Sequence, residues 1–287
     1  MSTIVLLVLT GLGLGAMYFL IAAGLSLIWG LMRVLNFAHG AFFTVAAYAG
    51  WVAAQGVGGG AWVRWLVALA AGIVAGAAFA TLTEVILIRP LYARHIGQVL
   101  VTVGLALATI ALIEGGFGAD PRQFPLPEWL GSTTAVAGAA IPNTRLVVIL
   151  LAAAVLASLL FFLQRTRYGL IVRAGVENRA MVSALGIDVQ QAFTLVFAIG
   201  GMAAGLAGVL AASYYGTVDP ARGTAMLIFA FIVVVIGGLG SVTGSAVAAV
   251  VVGLVQQFLN FYASAGVGDF AVIILLALVL LVRPSAT

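Results

Sequence analysis

The stretch QRTRYGLIVRAGVENRAMVSALGIDV, residues 164–189, is the longest polar interruption in a chain of 287 residues that is otherwise almost entirely apolar. Within it, the string ENRAMVSAL alternates polar and apolar residues in a helical pattern. We expect Met181, Val182 and Leu185 to share one face of that helix. The stretch therefore predicts one short amphipathic helix between two apolar segments.

Two residues mark where this short helix ends. Gly186 tolerates the left-handed backbone conformation in which helices commonly terminate, and Asp188 is a good cap for the apolar segment that follows. The polar stretch is also rich in arginine. A short amphipathic helix on the arginine-rich side of a membrane is expected to bind a partner protein.

The composition places the chain in a membrane. The sequence is 64% hydrophobic and 7% charged, whereas a soluble domain carries about 25% charged residues. The net charge of +4 comes from arginine alone, and in a membrane protein such charge sets topology rather than indicating nucleic acid. The absence of cysteine excludes disulfides and thiolate metal sites, and the presence of only two histidines, far apart in sequence, argues against a histidine metal cluster. The fold class expected is an all-α polytopic membrane protein.

Hydrophobic segments of membrane-spanning length recur along the chain. About 20 apolar residues cross a bilayer core, which predicts eight or nine transmembrane helices in a single transmembrane domain over residues 1–287. They lie near 4–29, 38–55, 64–88, 97–118, 145–163, 190–212, 224–239, 243–263 and 269–283. The main outside loop, 119–142, holds four of the seven prolines and is not expected to be helical throughout.

The arginines predict the orientation. If residues 164–189 lie in the cytoplasm, the alternating spans place eight arginines inside and four outside, as the positive-inside rule requires. The N-terminus is then outside and the C-terminus is cytoplasmic. The inside group is Arg33, Arg89, Arg94, Arg165, Arg167, Arg173, Arg179 and Arg283, and the outside group is Arg64, Arg122, Arg145 and Arg222.

Two glycine-containing breaks, residues 30–43 and 237–245, interrupt the apolar pattern. Such breaks in matching places of two halves indicate half-helices in an inverted repeat around a central site. Asn36 is a good N-cap for the helix that follows the first break. The alternative, that both breaks are ordinary cytoplasmic turns, stays open. The candidate residues for a translocation pathway are Asn36, His39, Gly40, Gly237, Gly238, Gly240 and Ser241.

Two polar residues near the spans have two interpretations each. His39 either lines a pathway or packs in the interior with a hydrogen bond to a backbone carbonyl, and the second is favoured because no acidic residue is nearby in sequence. Glu84 precedes Arg89 by five positions at a helix end. A side chain that reaches the membrane surface is favoured there over a buried coupling carboxylate.

Three strings together resemble a known family: GLMRVLNFAHGAFF, VENRAMVSALGID and GGLGSVTGS. They are similar to the LivH-type permeases of branched-chain amino acid ABC importers, and the similarity runs the length of the chain. The resemblance implies a cytoplasmic segment that docks on an ATPase subunit. Its implied members are Glu177, Asn178, Arg179, Ala184, Leu185 and Gly186. If the helix docks in a groove, the spacing of its apolar residues makes Met181, Val182 and Leu185 the anchors. The string AMVSAL before Gly186 departs from the Glu-Ala-Ala…Gly pattern of the wider importer class.

The resemblance also implies the partners and the compartment. The partners are two ABC ATPase subunits, a second related permease chain or a second copy of this one, a periplasmic or extracellular solute-binding protein, and the lipid bilayer. The compartment is the bacterial cytoplasmic (inner) membrane, crossed several times. No cofactor and no catalytic residue are implied.

The function expected is that of a transmembrane permease subunit. It would translocate branched-chain amino acids or a similar small solute by alternating access, powered by separate ATPase subunits. The sequence has no GxxxxGK[ST] phosphate-binding loop, so we expect no ATP hydrolysis by this chain. A stand-alone ion-coupled secondary transporter is the alternative, and an intramembrane enzyme lacks a placed catalytic cluster. The sequence leaves open whether the solute is an amino acid, urea or a short amide.

Overall fold

The computed structural model describes residues 2–33, 35–92, 94–184, 186 and 188–282. Helices dominate this part of the chain, because long apolar segments in a bilayer must satisfy their backbone hydrogen bonds internally. The helices are α1 (Ser2–Met32), α2 (His39–Gly56), α3 (Ala61–Leu82), α4 (His95–Phe117), α5 (Glu128–Gly131), α6 (Asn143–Arg165), α7 (Arg167–Ala184), α8 (Val189–Tyr215), α9 (Arg222–Gly237), α10 (Val242–Tyr262) and α11 (Val267–Val282). A π-helical turn (Thr83–Ile88) and a short 3-10 turn (Arg89–Leu91) extend α3.

Each of the nine expected spans corresponds to one of these helices. In the described ranges, six helices are long and apolar enough to cross a membrane, namely α1, α3 with its extension, α4, α6, α8 and α10. α9 and α11 are apolar but shorter, and α2 has 18 residues. The prediction of an all-α polytopic membrane protein is therefore confirmed.

The expected outside loop is not helical through its length, as its prolines predicted. It contains β1 (Arg122–Gln123), α5, and a hairpin of β2 (Thr133–Val136) with β3 (Ala139–Pro142). β1 pairs antiparallel with β4 (Thr217–Val218), which follows α8. This pairing ties the loop to the segment that joins α8 to α9.

The core is built around α1 and α8, whose residues are the most completely buried of the long helices. α10 packs along α1 and α3 packs along α8. Glycine permits both contacts, because a Cβ added to Gly15 of α1 would lie 2.5 Å from the carbonyl oxygen of Ala249 in α10. Gly76 of α3 and Gly201 of α8 likewise face each other through their backbones. The small residues therefore allow close approach of the helix axes.

The predicted short helix in the polar stretch is longer than the sequence indicated. It begins at Arg167 rather than at Glu177, so α6 and α7 are separated by Thr166 alone. The Thr166 hydroxyl accepts a hydrogen bond from the Gly169 backbone N–H at 2.9 Å, which is the geometry of a helix N-cap. A threonine three positions before a helical glycine was the signal that would have placed this start.

The expectation of one shared apolar face on α7 is wrong in part. Val182 is 4% exposed and packs into the bundle, whereas Met181 is 62% exposed. Adjacent residues on a helix are rotated by about 100°, so Val182 can face the bundle while Met181 faces away from it. Leu185 lies outside the described residues. The helix end is as expected, because Gly186 has a positive φ of 77° and the Asp188 carboxylate accepts the Gln190 N–H at 2.9 Å.

Candidate translocation and coupling sites

The first break leads into a half-helix that begins within the bundle. α1 ends at Met32, Arg33 has a positive φ of 53°, and the next helical residue is His39. The ring of His39 is hydrogen-bonded through Nε2 to the carbonyl oxygen of Ile21 in α1, at 3.1 Å. Ile21 lies eleven residues before the end of α1, which is about 16 Å along the helix at 1.5 Å per residue. α2 therefore starts well inside the span of α1.

Asn36 and His39 are fully buried where α2 begins. The Asn36 side chain accepts a hydrogen bond from the Ala38 N–H at 3.1 Å, so it closes the turn that precedes α2 and does not sit at the first helical turn itself. The packed interpretation of His39 fits its hydrogen bond to a carbonyl. The Asn36 Nδ2 and His39 Nδ1 atoms have no hydrogen-bond partner among the described residues. Buried polar atoms without partners cost free energy, about 1–3 kcal/mol each.

A second half-helix begins at α9, after a break that lies before the predicted one at 237–245. α8 ends at Tyr215 and is followed by Gly216, which has a positive φ of 74°. The Asp219 carboxylate accepts the Ala221 N–H at 2.9 Å, and the helix begins at Arg222. The matching break is therefore the segment between α8 and α9, and not residues 237–245.

The two breaks repeat the same local structure. The segments RVLNFAHG (33–40) and GTVDPARG (216–223) align without a gap. Each starts with a left-handed residue, then forms a turn closed by an Asn or Asp side chain on the N–H two residues later. Each then passes through an alanine and a basic residue to a glycine. The shared pattern Asx-x-Ala-basic-Gly was the signal in the sequence for this repeat.

The second break also returns into the bundle, from the opposite face. Gln123 pairs with Thr217. The carbonyl oxygen of Gln123 accepts a hydrogen bond from the Trp51 indole N–H at 2.9 Å. Thr217 therefore lies at the level of Trp51 along α2. Gly223 instead contacts Thr44. Trp51 and Thr44 are seven residues apart on α2, which is about 10 Å.

The first turns of α2 and α9 meet at two glycines. A Cβ added to Gly40 would lie 2.7 Å from the Gly223 carbonyl oxygen, and a Cβ on Gly223 would in turn collide with the Gly40 carbonyl oxygen. α2 enters from the end of the bundle where α1 finishes, and α9 enters from the end where α8 finishes. The structure thus contains two half-helices in inverted orientation whose N-terminal ends touch inside the bundle.

Residues of the predicted second break form the connection between α9 and α10. Gly238 and Gly240 have positive φ values of 94° and 86°, and the Ser241 hydroxyl caps α10 by accepting the Gly244 N–H at 3.0 Å. Gly240 packs against Gly30, close to the end of α1. A role in a translocation pathway stays a prediction for Gly237, Gly238, Gly240 and Ser241.

Glu84 is buried inside the protein, whereas the favoured interpretation expected a side chain that reaches solvent at the membrane surface. Its side chain is 0% exposed and lies in the π-helical turn at the end of α3. It accepts hydrogen bonds from Arg89 at 3.0 Å, from the Thr194 hydroxyl of α8 at 2.9 Å and from the Tyr92 hydroxyl. Burial, together with the hydrogen bond to Glu84, raises the pKa of Tyr92, so Tyr92 remains a proton donor in this cluster.

At the opposite end of the bundle, arginines lie on aromatic rings. The guanidinium of Arg145 lies 3.0 Å from the centroid of the Tyr214 ring. That of Arg222 lies 4.3 Å from the centroid of Tyr215, and it also pairs with Asp219 at 3.6 Å. These contacts attach the start of α6 and the second break to the end of α8.

The predicted coupling segment occupies the C-terminal half of α7. Glu177, Asn178, Arg179 and Ala184 lie within the helix, and Gly186 follows its end. The side chain of Met181 is exposed, while that of Val182 is buried against the bundle. The structure thus places an exposed methionine close to the junction of α7 with α8.

A bundle of membrane-spanning helices that holds two inverted half-helices defines a membrane transport protein. The sequence profile of the family described as the branched-chain amino acid transport system / permease component matches residues 7–283. The chain belongs to this family.

Individual relatives agree with the family assignment. The high-affinity branched-chain amino acid transport system permease protein LivH of Salmonella typhimurium is 29% identical over 289 residues, covering 96% of this chain and 92% of that protein. The corresponding protein BraD of Pseudomonas aeruginosa is 28% identical over 286 residues, with the same coverage. The ribose import permease protein RbsC of Escherichia coli is 27% identical over 230 residues, covering 76% of this chain and 68% of that protein. No solved structure matches the chain significantly.

Proposed function

We propose that this chain is the transmembrane permease subunit of an ATP-driven importer of branched-chain amino acids or a similar small solute. The family membership supports the transport function. The observation that carries the mechanism is the contact of the two inverted half-helices at Gly40 and Gly223. Half-helices of this kind form the central sites of transporters, because their free N-terminal N–H groups point into the interior.

The proposed mechanism is alternating access around that contact. The break before α2 opens toward one membrane face, and the break before α9 opens toward the other. A small rotation about the glycine contact would loosen one break while it tightens the other. The unpartnered Asn36 Nδ2 and His39 Nδ1 support this proposal, because buried donors and acceptors without partners favour any state in which water or solute reaches them.

The proposed coupling element is α7. Its docking residues are those implied by the family resemblance, with the exposed Met181 as the apolar anchor and Val182 holding the helix to the bundle. The predicted anchor Leu185 completes the segment as a proposal. The chain itself would be a pore subunit without an ATPase site, and two separate ATPase subunits would supply the energy.

We also propose the assembly and orientation. The complex would contain a second permease chain, either a relative or another copy, and a solute-binding protein outside the inner membrane. The N-terminus would lie outside and the C-terminus in the cytoplasm. Arg64, Arg122, Arg145 and Arg222 lie at the proposed outer end. The proposed inner end, where α1, α3 and α6 finish and α7 lies, carries more arginines, and this larger number supports the orientation. They are Arg33, Arg89, Arg94, Arg165, Arg167 and Arg173.

The stand-alone ion-coupled carrier gains no support from Glu84, the one fully buried carboxylate among the residues whose burial the structure describes. Glu84 is paired with Arg89 and holds hydrogen bonds from Tyr92 and Thr194. A proton-coupling carboxylate must bind and release its proton during transport. A carboxylate engaged by three donors is better suited to joining α3 to α8.

The function is tested by uptake in the native host. Deletion of the gene should abolish high-affinity uptake of radiolabelled leucine, and a plasmid copy should restore it. Competition with unlabelled isoleucine, valine, urea and acetamide then identifies the solute class. If deletion leaves leucine uptake unchanged but abolishes uptake of one of the other four compounds, that compound represents the solute class that the chain transports. Unchanged uptake of all five would contradict the proposed function.

A further inference from the structure

An apolar groove runs along the face of α8 between α3 and α6. Both helices pack against α8, and they leave between them a groove of about 320 Å³. Its lining is aliphatic and aromatic, and Met202 of α8 is 44% exposed on its floor. The other main contributors are Ile73, Val155, Leu159, Ile199 and Ala203. The groove lies in the membrane-spanning part of all three helices, so its natural contents are hydrocarbon.

The groove continues into a polar hollow at the end of the same helices. This hollow has a volume of about 690 Å³, and Phe162 of α6 lines both it and the apolar groove. Its polar lining comes from the end of α3, the junction of α6 with α7, and the start of α8. The members are Arg89, Thr166, Asp188, Gln190, Gln191 and Thr194.

The charges in the hollow suit the phosphate of a lipid. The Arg89 side chain is 34% exposed, so its guanidinium has donors left beyond those that bind Glu84 and Thr194. The Asp188 carboxylate is occupied in capping α8. Arg165 and Arg167 are exposed at the rim, one residue on either side of Thr166. The hollow and its rim therefore carry three arginines against two engaged carboxylates.

We propose that the groove and the hollow together bind one phospholipid of the inner leaflet. One acyl chain lies in the apolar groove between α3 and α6. The phosphodiester lies in the hollow, against Arg89 and the amides of Gln190 and Gln191, with Arg165 and Arg167 adding positive potential. Basic pockets between transmembrane helices on the cytoplasmic side are a recurring form of phospholipid site.

The position of this site gives the lipid a structural role. It touches the end of α3, the start of α7 and the start of α8, which are the elements that meet at the proposed coupling helix. The phosphate would share Arg89 with Glu84, the residue that joins α3 to α8. The assignment to the inner leaflet rests on the orientation given under Proposed function, whereas the binding itself does not depend on transport.

The test uses a fluorescent label in the groove and one equivalent of lipid. The chain has no cysteine, so Ser158→Cys, in the lining of the apolar groove, gives a single attachment site for bimane. The matched control is Leu112→Cys on α4, which is 76% exposed and lies outside the groove. Purified full-length protein in detergent is mixed with phosphatidylglycerol that carries brominated acyl chains, which quench bimane on contact.

We expect at least half of the fluorescence at position 158 to be quenched at one lipid per protein, with little change at position 112. Brominated diacylglycerol, which lacks the phosphate, should need at least tenfold more lipid for the same effect. Arg89→Gln should weaken quenching by the phospholipid about tenfold and leave quenching by diacylglycerol unchanged. Filling the groove with Met202→Trp should abolish both.

Three outcomes would overturn the proposal. Equal quenching at both positions would mean that lipid merely coats the surface, and equal potency of phospholipid and diacylglycerol would remove the phosphate site. Formation of a disulfide between two copies through the unlabelled cysteine at position 158 would show that a second chain fills the groove. Because the readout is binding in detergent, none of these results bears on whether the chain transports a solute.

Discussion

Gly40 and Gly223 contact each other through their backbones at the point where the first turns of α2 and α9 meet. A Cβ on Gly40 would lie 2.7 Å from the Gly223 carbonyl oxygen, which is closer than real Cβ atoms approach oxygen. The contact joins two segments with the same local structure and opposite direction. It is therefore the point where the two repeated segments, 33–40 and 216–223, contact each other.

The first prediction concerns this glycine contact. Gly40→Ala and Gly223→Ala should each force the two half-helices apart, because the added methyl group meets backbone that cannot rotate away. Overpacking of this kind costs about 1–3 kcal/mol. We expect a lower Tm of the purified protein and loss of most uptake. Gly58→Ala is the control, since a Cβ there meets nothing within 4 Å, and it should behave as wild type.

The second prediction concerns the turns before the half-helices. Asn36→Leu should leave membrane insertion intact and reduce uptake, because the buried Ala38 N–H loses the side-chain oxygen that it binds, which costs about 1–3 kcal/mol. At the matching position, Asp219→Asn keeps the hydrogen bond to Ala221 and should retain most uptake, whereas Asp219→Leu should not. Uptake that is the same in Asp219→Asn and Asp219→Leu would show that the turn itself does not matter for transport.

The third prediction concerns the cluster around Glu84. Thr194→Val removes a hydroxyl that bridges Glu84 and Arg89 while it keeps the shape of the side chain. A buried acceptor that loses one donor costs about 1–3 kcal/mol, and the lower end applies because Glu84 keeps other donors. The measured quantity is the Tm of the purified protein, which should fall. Thr243→Val, at an exposed position in α10, is the matched control and should leave the Tm unchanged.

The fourth prediction concerns orientation. Thr133 is exposed in the β2–β3 hairpin, and Met181 is exposed on α7. In intact cells, a cysteine at position 133 should react with a membrane-impermeant thiol reagent, and a cysteine at position 181 should react only after the membrane is permeabilised. Labelling of position 181 in intact cells would reverse the proposed topology.

The fifth prediction concerns docking of the ATPase. Met181→Glu places a charge on an exposed position of α7, and Gly186→Val opposes the positive φ that ends the helix. Both proteins should insert and keep the Tm of wild type within a few degrees, since neither side chain is buried. Both should lose co-purification with ATPase subunits. An equivalent exposed substitution on the other face, Thr133→Glu, should retain them.

Hydrophobic length and local capping signals were sufficient to predict most of the fold. All nine spans correspond to helices, and Asp188 and Gly186 behave as their residue types indicate. The start of α7 was not predicted because the string around Leu170 is helical without being strongly amphipathic. The N-cap at Thr166 sets where the helix begins. The exposed Met181 and the buried Val182 could be separated only once the direction in which α7 packs was known.

The candidate site was harder to predict, because it depends on contacts between distant parts of the chain. Asn36 and His39 were identified from the first break, but the second break was sought among the glycines at 237–245. Glycine marks tight turns as well as broken helices, and there it forms the α9–α10 connection. The charge of Glu84 suggested a position at the membrane surface. Its burial could not be predicted, because nothing in the sequence shows that Thr194 of α8 lies beside it.

The central claim is that ATP hydrolysis by separate subunits, and not an ion gradient, drives transport through this chain. The measurement is uptake of radiolabelled leucine, delivered by the solute-binding protein, into liposomes that contain the purified complex and enclosed ATP. We predict uptake that requires ATP and is lost with Met181→Glu, and no uptake by the permease alone under a proton or sodium gradient. Gradient-driven uptake by the permease alone, without ATPase subunits or ATP, would contradict the account.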